Sequence, residues 1–472
     1  MIELLTTIDS VVWGPAMIAL LLGTHIYLTF RTGFIQRKLP QAIRMSVRRD
    51  PSGKGDISSF GALATALAAT IGTGSIVGVA TALLAGGPGA IFWMWIAGLF
   101  GIATKYVETY AAVKYRVRDK SGAMLGGAMF VWKRAFARPD GSVPWWATLG
   151  AVSFAAFAII ATIGTGSAVI SGIVTSSVPA IPAVAVGVVI VVAVAAVIFG
   201  GVNSIARVCE WLVPIMAGAY ALGCLVIMGM NAPVLGEAVG LILECAFTPK
   251  AAFGGAVGSG LIMALQFGCA RGLFSNESGL GTAPIVAAAA KTKNPADQAL
   301  ISMTGAFWST GVICLLTGLV LVSTMIVHPE IGEDILANPS IFTGAALASA
   351  AFAEIPVFGT PVLVLGMCAF AYSTILGWSY YGNRCVAYLF GPRGIKPYQV
   401  IYVAVAFFGA IGVGDVVWTI SDIGNALMAI PNIIVILLLS GMIARETKHY
   451  VYDGNLDEEY GEPVPRVKGS QL

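Results

Sequence analysis

Apolar residues run in long blocks along most of this chain, with short polar segments between them. About 18 or more apolar residues in a row are enough to cross a bilayer as a helix. Eleven blocks read as such spans: A 11–31, B 59–85, C 88–113, D 146–174, E 182–202, F 208–230, G 255–290, H 299–327, I 357–389, J 399–414 and K 416–444. Only Gly414 and Asp415 separate J from K, and Asp415 is placed to cap K. The pattern predicts an all-α polytopic membrane protein. Residues 123–138 mix apolar and basic side chains, which suits an interfacial segment. Residues 231–254 are long enough for an external helix, and the polar stretch from 446 reads as a flexible tail.

Two spans are interrupted. Span B carries Gly72 and Gly74 among the hydroxyls of Thr70, Thr73 and Ser75, near the middle of an apolar run. Span G is longer than a bilayer needs and carries Arg271, Asn276 and Glu277 near its middle. Glycine weakens a helix by about 1 kcal/mol relative to alanine, and intramembrane charges are costly and usually functional. Unwound segments free carbonyls for a cation and N–H groups for a carboxylate. A glycine pair alone reads as packing; the polar residues of G favour a binding role. Arg271 and Glu277 read either as a gate or ion pair, or with Arg271 bonding the carbonyls freed at the break. With span A set aside, ten spans remain as five plus five, each five opening on an interrupted helix. An odd number of spans inverts the second set, the inverted repeat of many secondary transporters. The predicted organisation is an N-terminal helix and basic loop over 1–58, a first repeat over 59–230, an external connection over 231–254, a second repeat over 255–445 and a tail over 446–472.

Composition agrees: 57% of residues are hydrophobic and 11% charged, against about 25% charged in soluble domains. The net charge of +3 is unevenly placed. Lys and Arg fall in the A–B and C–D connections, later alternate loops and the tail; the other side holds Lys250 and acids such as Glu237, Glu330, Glu333 and Asp334. By the positive-inside rule the N-terminus is outside and the C-terminus cytoplasmic, in a plasma (inner) membrane. This distribution argues against a nucleic-acid partner. The seven cysteines are scattered with no CxxC pair, which suits packing rather than metal or disulfide roles. Gly412-Val413-Gly414-Asp415 matches the GxGD pattern of intramembrane aspartyl proteases. Its partner Tyr452-Asp453 lies in the tail, so no carboxylate pair forms and no catalytic residue is expected.

Gly86-Gly87-Pro88-Gly89-Ala90-Ile91-Phe92-Trp93-Met94-Trp95 resembles a signature of the alanine or glycine:cation symporter family. So do Thr104-Lys105-Tyr106-Val107-Glu108, the run from Arg271 to Gly279, and the run from Thr374 to Gly382. The resemblance covers about residues 55 to 390 and implies the fold of the sodium-coupled leucine and neurotransmitter transporters. It implies substrate contacts at Thr73, Gly74, Ser75, Gly166, Ile170, Asn276, Thr374 and Trp378. It also implies a sodium site made of the Ala68 and Ile71 carbonyls with the Ser373 and Thr374 hydroxyls, oxygen ligands that suit a hard cation. A second cation site would involve Thr70 and Ser75. Two positions depart from the family pattern: Ser75 where it usually has asparagine, and Ile170 where it usually has glutamine. The function implied is sodium-coupled symport of alanine or glycine by alternating access, with sodium as coupling ion and no other cofactor. Proton coupling through Glu277 and a changed amino-acid specificity stand as alternatives, with a channel and an intramembrane enzyme more remote.

Overall fold

The computed structural model describes residues 2–48, 53–120, 122–169, 171, 174–175, 180–248, 260–331, 344–412 and 415–466. Among them, eight helices are long and apolar enough to cross a membrane. They match predicted spans A, C, D, F, H, I, J and K, while B and E appear as shorter apolar helices and the described part of G as the helices Leu261–Asn276 and Ala283–Ala287.

The first span starts earlier than predicted. Helices α1 (Ile2–Val12) and α2 (Pro15–Arg31) form one apolar rod bent at Gly14, where Pro15 occupies the first turn of α2. The Trp13 indole N–H donates to the Asp422 carbonyl at 3.1 Å and ties the bend to the last long helix. A short α3 (Leu39–Val47) leads to the first broken helix. That helix is α4 (Ser59–Thr70), capped by the Ser58 hydroxyl on Gly61 N–H, followed by an irregular 71–76 and α5 (Val77–Gly86). Next come α6 (Gly89–Lys114), a two-stranded ribbon of β1 (Val117–Arg118) and β2 (Met124–Leu125), and α7 (Ala128–Ala135). Helix α8 (Trp145–Ile163) runs into a wide π-helical turn at Gly164–Val169. Helices α9 (Ala183–Ile198), α10 (Gly201–Met230) and α11 (Leu235–Phe247) follow. The second broken helix is α12 (Leu261–Asn276), an irregular 277–282 and α13 (Ala283–Ala287). Helices α14 (Pro295–Ala306) and α15 (Leu315–Val327) flank a π-helical turn at Phe307–Cys314. The chain finishes with α16 (Gly344–Ala353), α17 (Gly359–Phe390), α18 (Ile395–Ile411) and α19 (Asp415–Thr447).

Small residues set the closest contacts. Helix α12 lies along α6, and Gly268 and Gly272, four apart, face its backbone. A Cβ on Gly268 would stand 2.3 Å from the Ala90 carbonyl oxygen, and one on Gly272 2.9 Å from that of Met94. Backbones approach this closely only where no side chain intervenes, the usual way helices pack without a hydrophobic drive between them.

Two segments differ from expectation. Residues Ala128 to Trp132 of α7 are buried rather than spread along an interface. Trp132 donates to the Pro431 carbonyl at 3.0 Å, and Lys133 lies 4.7 Å from the centre of the Tyr388 ring. The tail is docked as far as Arg466. The Tyr452 hydroxyl lies 2.9 Å from both the Thr32 and Gly33 carbonyls. Asn294 donates to the carbonyls of Leu456 and Glu458 at 2.7 and 2.9 Å, and Tyr460 N–H to that of Lys293 at 3.0 Å. A polar segment holds a fixed path when its backbone groups find partners, and polarity alone does not reveal those partners. At the same end Arg116 donates to the carbonyls of Ala288, Ala290 and Lys54 at 3.2, 2.9 and 2.9 Å. Burial, and then the nearby Arg118, lower its pKa to about 10, so it stays charged near neutrality. It joins the chain entering α4 to the chain leaving α13.

Candidate functional site

The break at 71–76 follows from its sequence. Helix α4 stops at Thr70, and Ile71 caps it at φ −81° and ψ 86°, outside the helical region. The Ala68 carbonyl thereby loses its helical partner; among the described residues no backbone N–H reaches it. Two hydroxyls of α17 approach it instead, Thr374 Oγ at 3.0 Å and Ser373 Oγ at 3.4 Å. The same hydroxyls lie 2.8 and 2.9 Å from the Phe370 carbonyl of their own helix. Each hydroxyl has one proton to give. If both protons serve Phe370, three oxygens converge with their lone pairs facing one another, an arrangement a hard cation relieves. Helix α17 comes this near because Gly72 has no side chain: a Cβ there would lie 2.5 Å from Thr374 Oγ.

Around this point three more elements converge. Ser75 Oγ is 3.0 Å from Ser275 Oγ of α12, which is 3.0 Å from Cys314 Sγ. Gly74 faces the Phe274 ring. Asn276 ends α12 with its side-chain oxygen accepting from Ser278 N–H at 2.8 Å and its amide nitrogen donating to Thr310 at 3.2 Å. On the other side of α17, a Cβ on Gly166 would stand 2.4 Å from Trp378 Cβ. The Tyr402 hydroxyl bridges the Gly166 and Ile375 carbonyls, each at 2.8 Å. Thus Ala68, Gly72, Thr374, Ser75 and Gly74 gather where the first break meets α17 and the end of α12, with Trp378 and Gly166 one turn along. The Thr70 hydroxyl turns back onto the Ala66 carbonyl of its own helix at 3.0 Å. Ile170 and the Thr73 side chain lie outside the described residues, as do Lys250, Glu333, Asp334, the side chain of Asp415 and the start of span G.

Arg271 and Glu277 do not pair. Arg271 interacts electrostatically with Asp9 and Asp422, toward α1 and α19. Glu277 turns the other way and accepts from the Thr282 hydroxyl at 2.6 Å. Six residues of largely helical chain point the two side chains to different neighbours. No described hydrogen bond links Arg271 to the carbonyls at the break.

A model of the sodium:alanine symporter family matches residues 1–461. The chain belongs to that family. The sodium/alanine symporter AgcS of Methanococcus maripaludis is 45% identical over 456 residues, which are 95% of this chain and 97% of that protein. The amino-acid carrier protein AlsT of Bacillus subtilis is 31% identical over 439 residues, 91% of this chain and 88% of that one. The crystal structure of MhsT in complex with L-phenylalanine superposes with a TM-score of 0.58 at 13% identity, over 84% of this chain and 94% of MhsT. That likeness establishes the leucine-transporter-like fold expected from the resemblance. As a sodium:alanine symporter family member, the chain is a multi-pass membrane transporter for amino-acid:cation symport, not an enzyme.

The structure adds residues that sequence reading did not assign to the site. Cys314 and Thr310 reach it because a π-helical turn displaces their helix, and such turns often mark functional positions. Tyr402 enters from α18, a span with no interruption to draw notice. Ser275 and Phe274 stood inside a recognised motif, yet only the approach of the 71–76 break and the π-helical turn to α12 brings Ser75, Gly74 and Cys314 against them.

Proposed function

We propose that this transporter imports alanine or glycine across the plasma membrane with sodium, its N-terminus outside and its C-terminus and basic face in the cytoplasm. The convergence of the freed Ala68 carbonyl with the Ser373 and Thr374 hydroxyls carries the reading, since it offers a hard cation oxygens from two helices that alternating access would separate. Ile71 would add its carbonyl. The substrate carboxylate would meet the N–H groups of the first break at Thr73 and Gly74, with Ser75, Gly166, Asn276, Thr374 and Trp378 around it. The sodium/alanine assignment of the relative AgcS supports the choice of ion and substrate.

Labelled alanine and glycine uptake into proteoliposomes, under an inward sodium gradient and then an equal potassium gradient, tests the proposal. Sodium-dependent accumulation of either amino acid is expected; uptake indifferent to sodium removes the sodium site. A changed specificity is the second reading, favoured by Ile170 where the family usually has glutamine. One hydrogen bond to a charged group is worth about 1.5–3 kcal/mol, so Ile170→Gln is expected to tighten alanine or glycine binding about tenfold or more. Equal affinities of the variant and the parent in a binding titration would discard that reading.

A further inference from the structure

On the basic face, segments far apart in sequence enclose a groove of about 1670 Å³ that shares no residue with the cation site. Arg44 and Arg48, at the end of α3, line one wall, and Arg207, Trp211 and Ile215 of α10 line the other. Its floor is the start of α4, from Ser58 to Phe60, with Lys291 beside it. Packing holds the walls in place, since α3 lies on α14 and α4 on α10. The Ser58 hydroxyl is 2.6 Å from Glu210 Oε1 of α10, and the Ser59 hydroxyl donates to the Lys291 carbonyl at 2.7 Å.

The charges of the groove are unequally satisfied. Lys293 and Asp457 pair at 3.4 Å. The other acids are half-buried and accept from the chain itself: Glu210 from Ser58, Asp56 Oδ2 from Met124 N–H at 2.7 Å, and Asp297 Oδ2 from the Thr292 hydroxyl at 2.8 Å. Arg44, Arg48, Arg207 and Lys291 are exposed, and among the described residues none of the four enters an ion pair. Orientation in a membrane requires cations on this face, but not that three elements aim them into one hollow. Like charges so gathered repel one another unless an anion lies among them.

An apolar track adjoins these cations. Arg207, Trp211 and Ile215 are four apart and share one face of α10. Trp211 is 72% exposed and Ile215 64%, and the stripe continues to Leu222 at 63%. At 1.5 Å per residue, Ile215 stands roughly 12 Å along the helix from Arg207. Tryptophan favours the membrane–water interface, which puts Arg207 at headgroup depth and Ile215 among acyl chains. A free anion would use the cations alone, whereas a phospholipid fills both the cationic mouth and the apolar wall. We propose that the groove binds an anionic phospholipid of this leaflet, its phosphate between Arg207 and the arginines of α3 and an acyl chain along Trp211 and Ile215. Basic pockets between membrane helices on the cytoplasmic side suit such headgroups.

Lipids brominated in the acyl chain quench tryptophan on contact, and Trp211 lies in the site. The full chain and its Trp211→Phe variant are placed in phosphatidylcholine nanodiscs with the same small fraction of brominated phosphatidylglycerol or brominated phosphatidylcholine. The difference between the two proteins is the Trp211 signal. Several-fold stronger quenching by the phosphatidylglycerol is expected. It should fall to the phosphatidylcholine level in Arg44→Gln/Arg207→Gln, measured against its own Trp211→Phe partner; both arginines are exposed, so the fold tolerates their loss. Equal quenching by the two lipids in the parent overturns the proposal. So does the same fall in Arg393→Gln/Lys396→Gln, which removes two exposed charges outside the groove, because surface potential alone would then account for the preference. If inorganic phosphate abolishes the preference where chloride at equal ionic strength leaves it, the groove binds a free anion and the lipid assignment falls. The readout involves no transport, so it stands apart from the sodium and amino-acid reading.

Discussion

Replacing Thr374 by valine tests the sodium site with little change of shape. Valine keeps the β-branch and the rotamer preferred in a helix, so contact with Gly72 persists while one oxygen leaves. The lost group is the nearer of the two hydroxyls at the Ala68 carbonyl, 3.0 Å against 3.4 Å for Ser373. An interaction with a charged partner is worth about 1.5–3 kcal/mol. At about 1.4 kcal/mol per tenfold, the half-saturating sodium concentration should rise roughly ten- to a hundredfold. Part of that is recovered if water takes the vacated position, which places Ser373→Ala, at the longer distance, toward the lower bound. Ser379→Ala is the control: its hydroxyl bonds the Leu376 carbonyl at 2.6 Å within the same buried helix and makes no described cross-helix contact. Initial rates of amino-acid uptake over a sodium titration, at fixed membrane potential, give the comparison. Thr374→Val with the parent's sodium dependence and normal maximal rate would refute the ligand assignment. An equal shift in Ser379→Ala would show that any buried hydroxyl on α17 has the same effect.

Three further perturbations probe the surroundings. Gly166→Ala places a Cβ 2.4 Å from Trp378 Cβ; overpacking of this kind costs about 1–3 kcal/mol, seen as a lower melting temperature and weakened substrate binding. Arg116→Met leaves the carbonyls of Ala288, Ala290 and Lys54 without their donor. Each unpartnered buried carbonyl costs about 1–3 kcal/mol, so amide exchange over residues 288–292 should quicken well beyond that of α6, and equal rates would show that the clamp is idle. Deleting residues 453–472 removes the acceptors of Asn294 at Leu456 and Glu458, and exchange around Lys293 to Pro295 is expected to rise while the protein remains folded.

The sequence by itself determined the solvent of this protein and the outline of its fold. Hydropathy and charge placement are sums over neighbours, so the apolar blocks, the basic side and the two glycine- and charge-bearing interruptions could be read without knowing what touches what. The breaks fall at 71–76 and 277–282, inside the spans marked for them. Helix lengths were less secure. Span B is two half-helices, and the first span extends back to Glu3 because the early acid and hydroxyls do not stop an apolar helix. Tertiary structure decided which groups meet. Ala68 and Thr374 stand 306 positions apart, and Glu108 finds Asn432 324 positions away. No local periodicity encodes such pairings; they follow from which helix faces pack and how closely glycine lets them come. The same reasoning separates Arg271 from Glu277. Near neighbours in sequence, they were candidates for one ion pair, yet the end of α12 turns them to opposite partners. A buried charge is satisfied by what the fold brings to it, and that is a property of the packed molecule rather than of the segment that carries the residue.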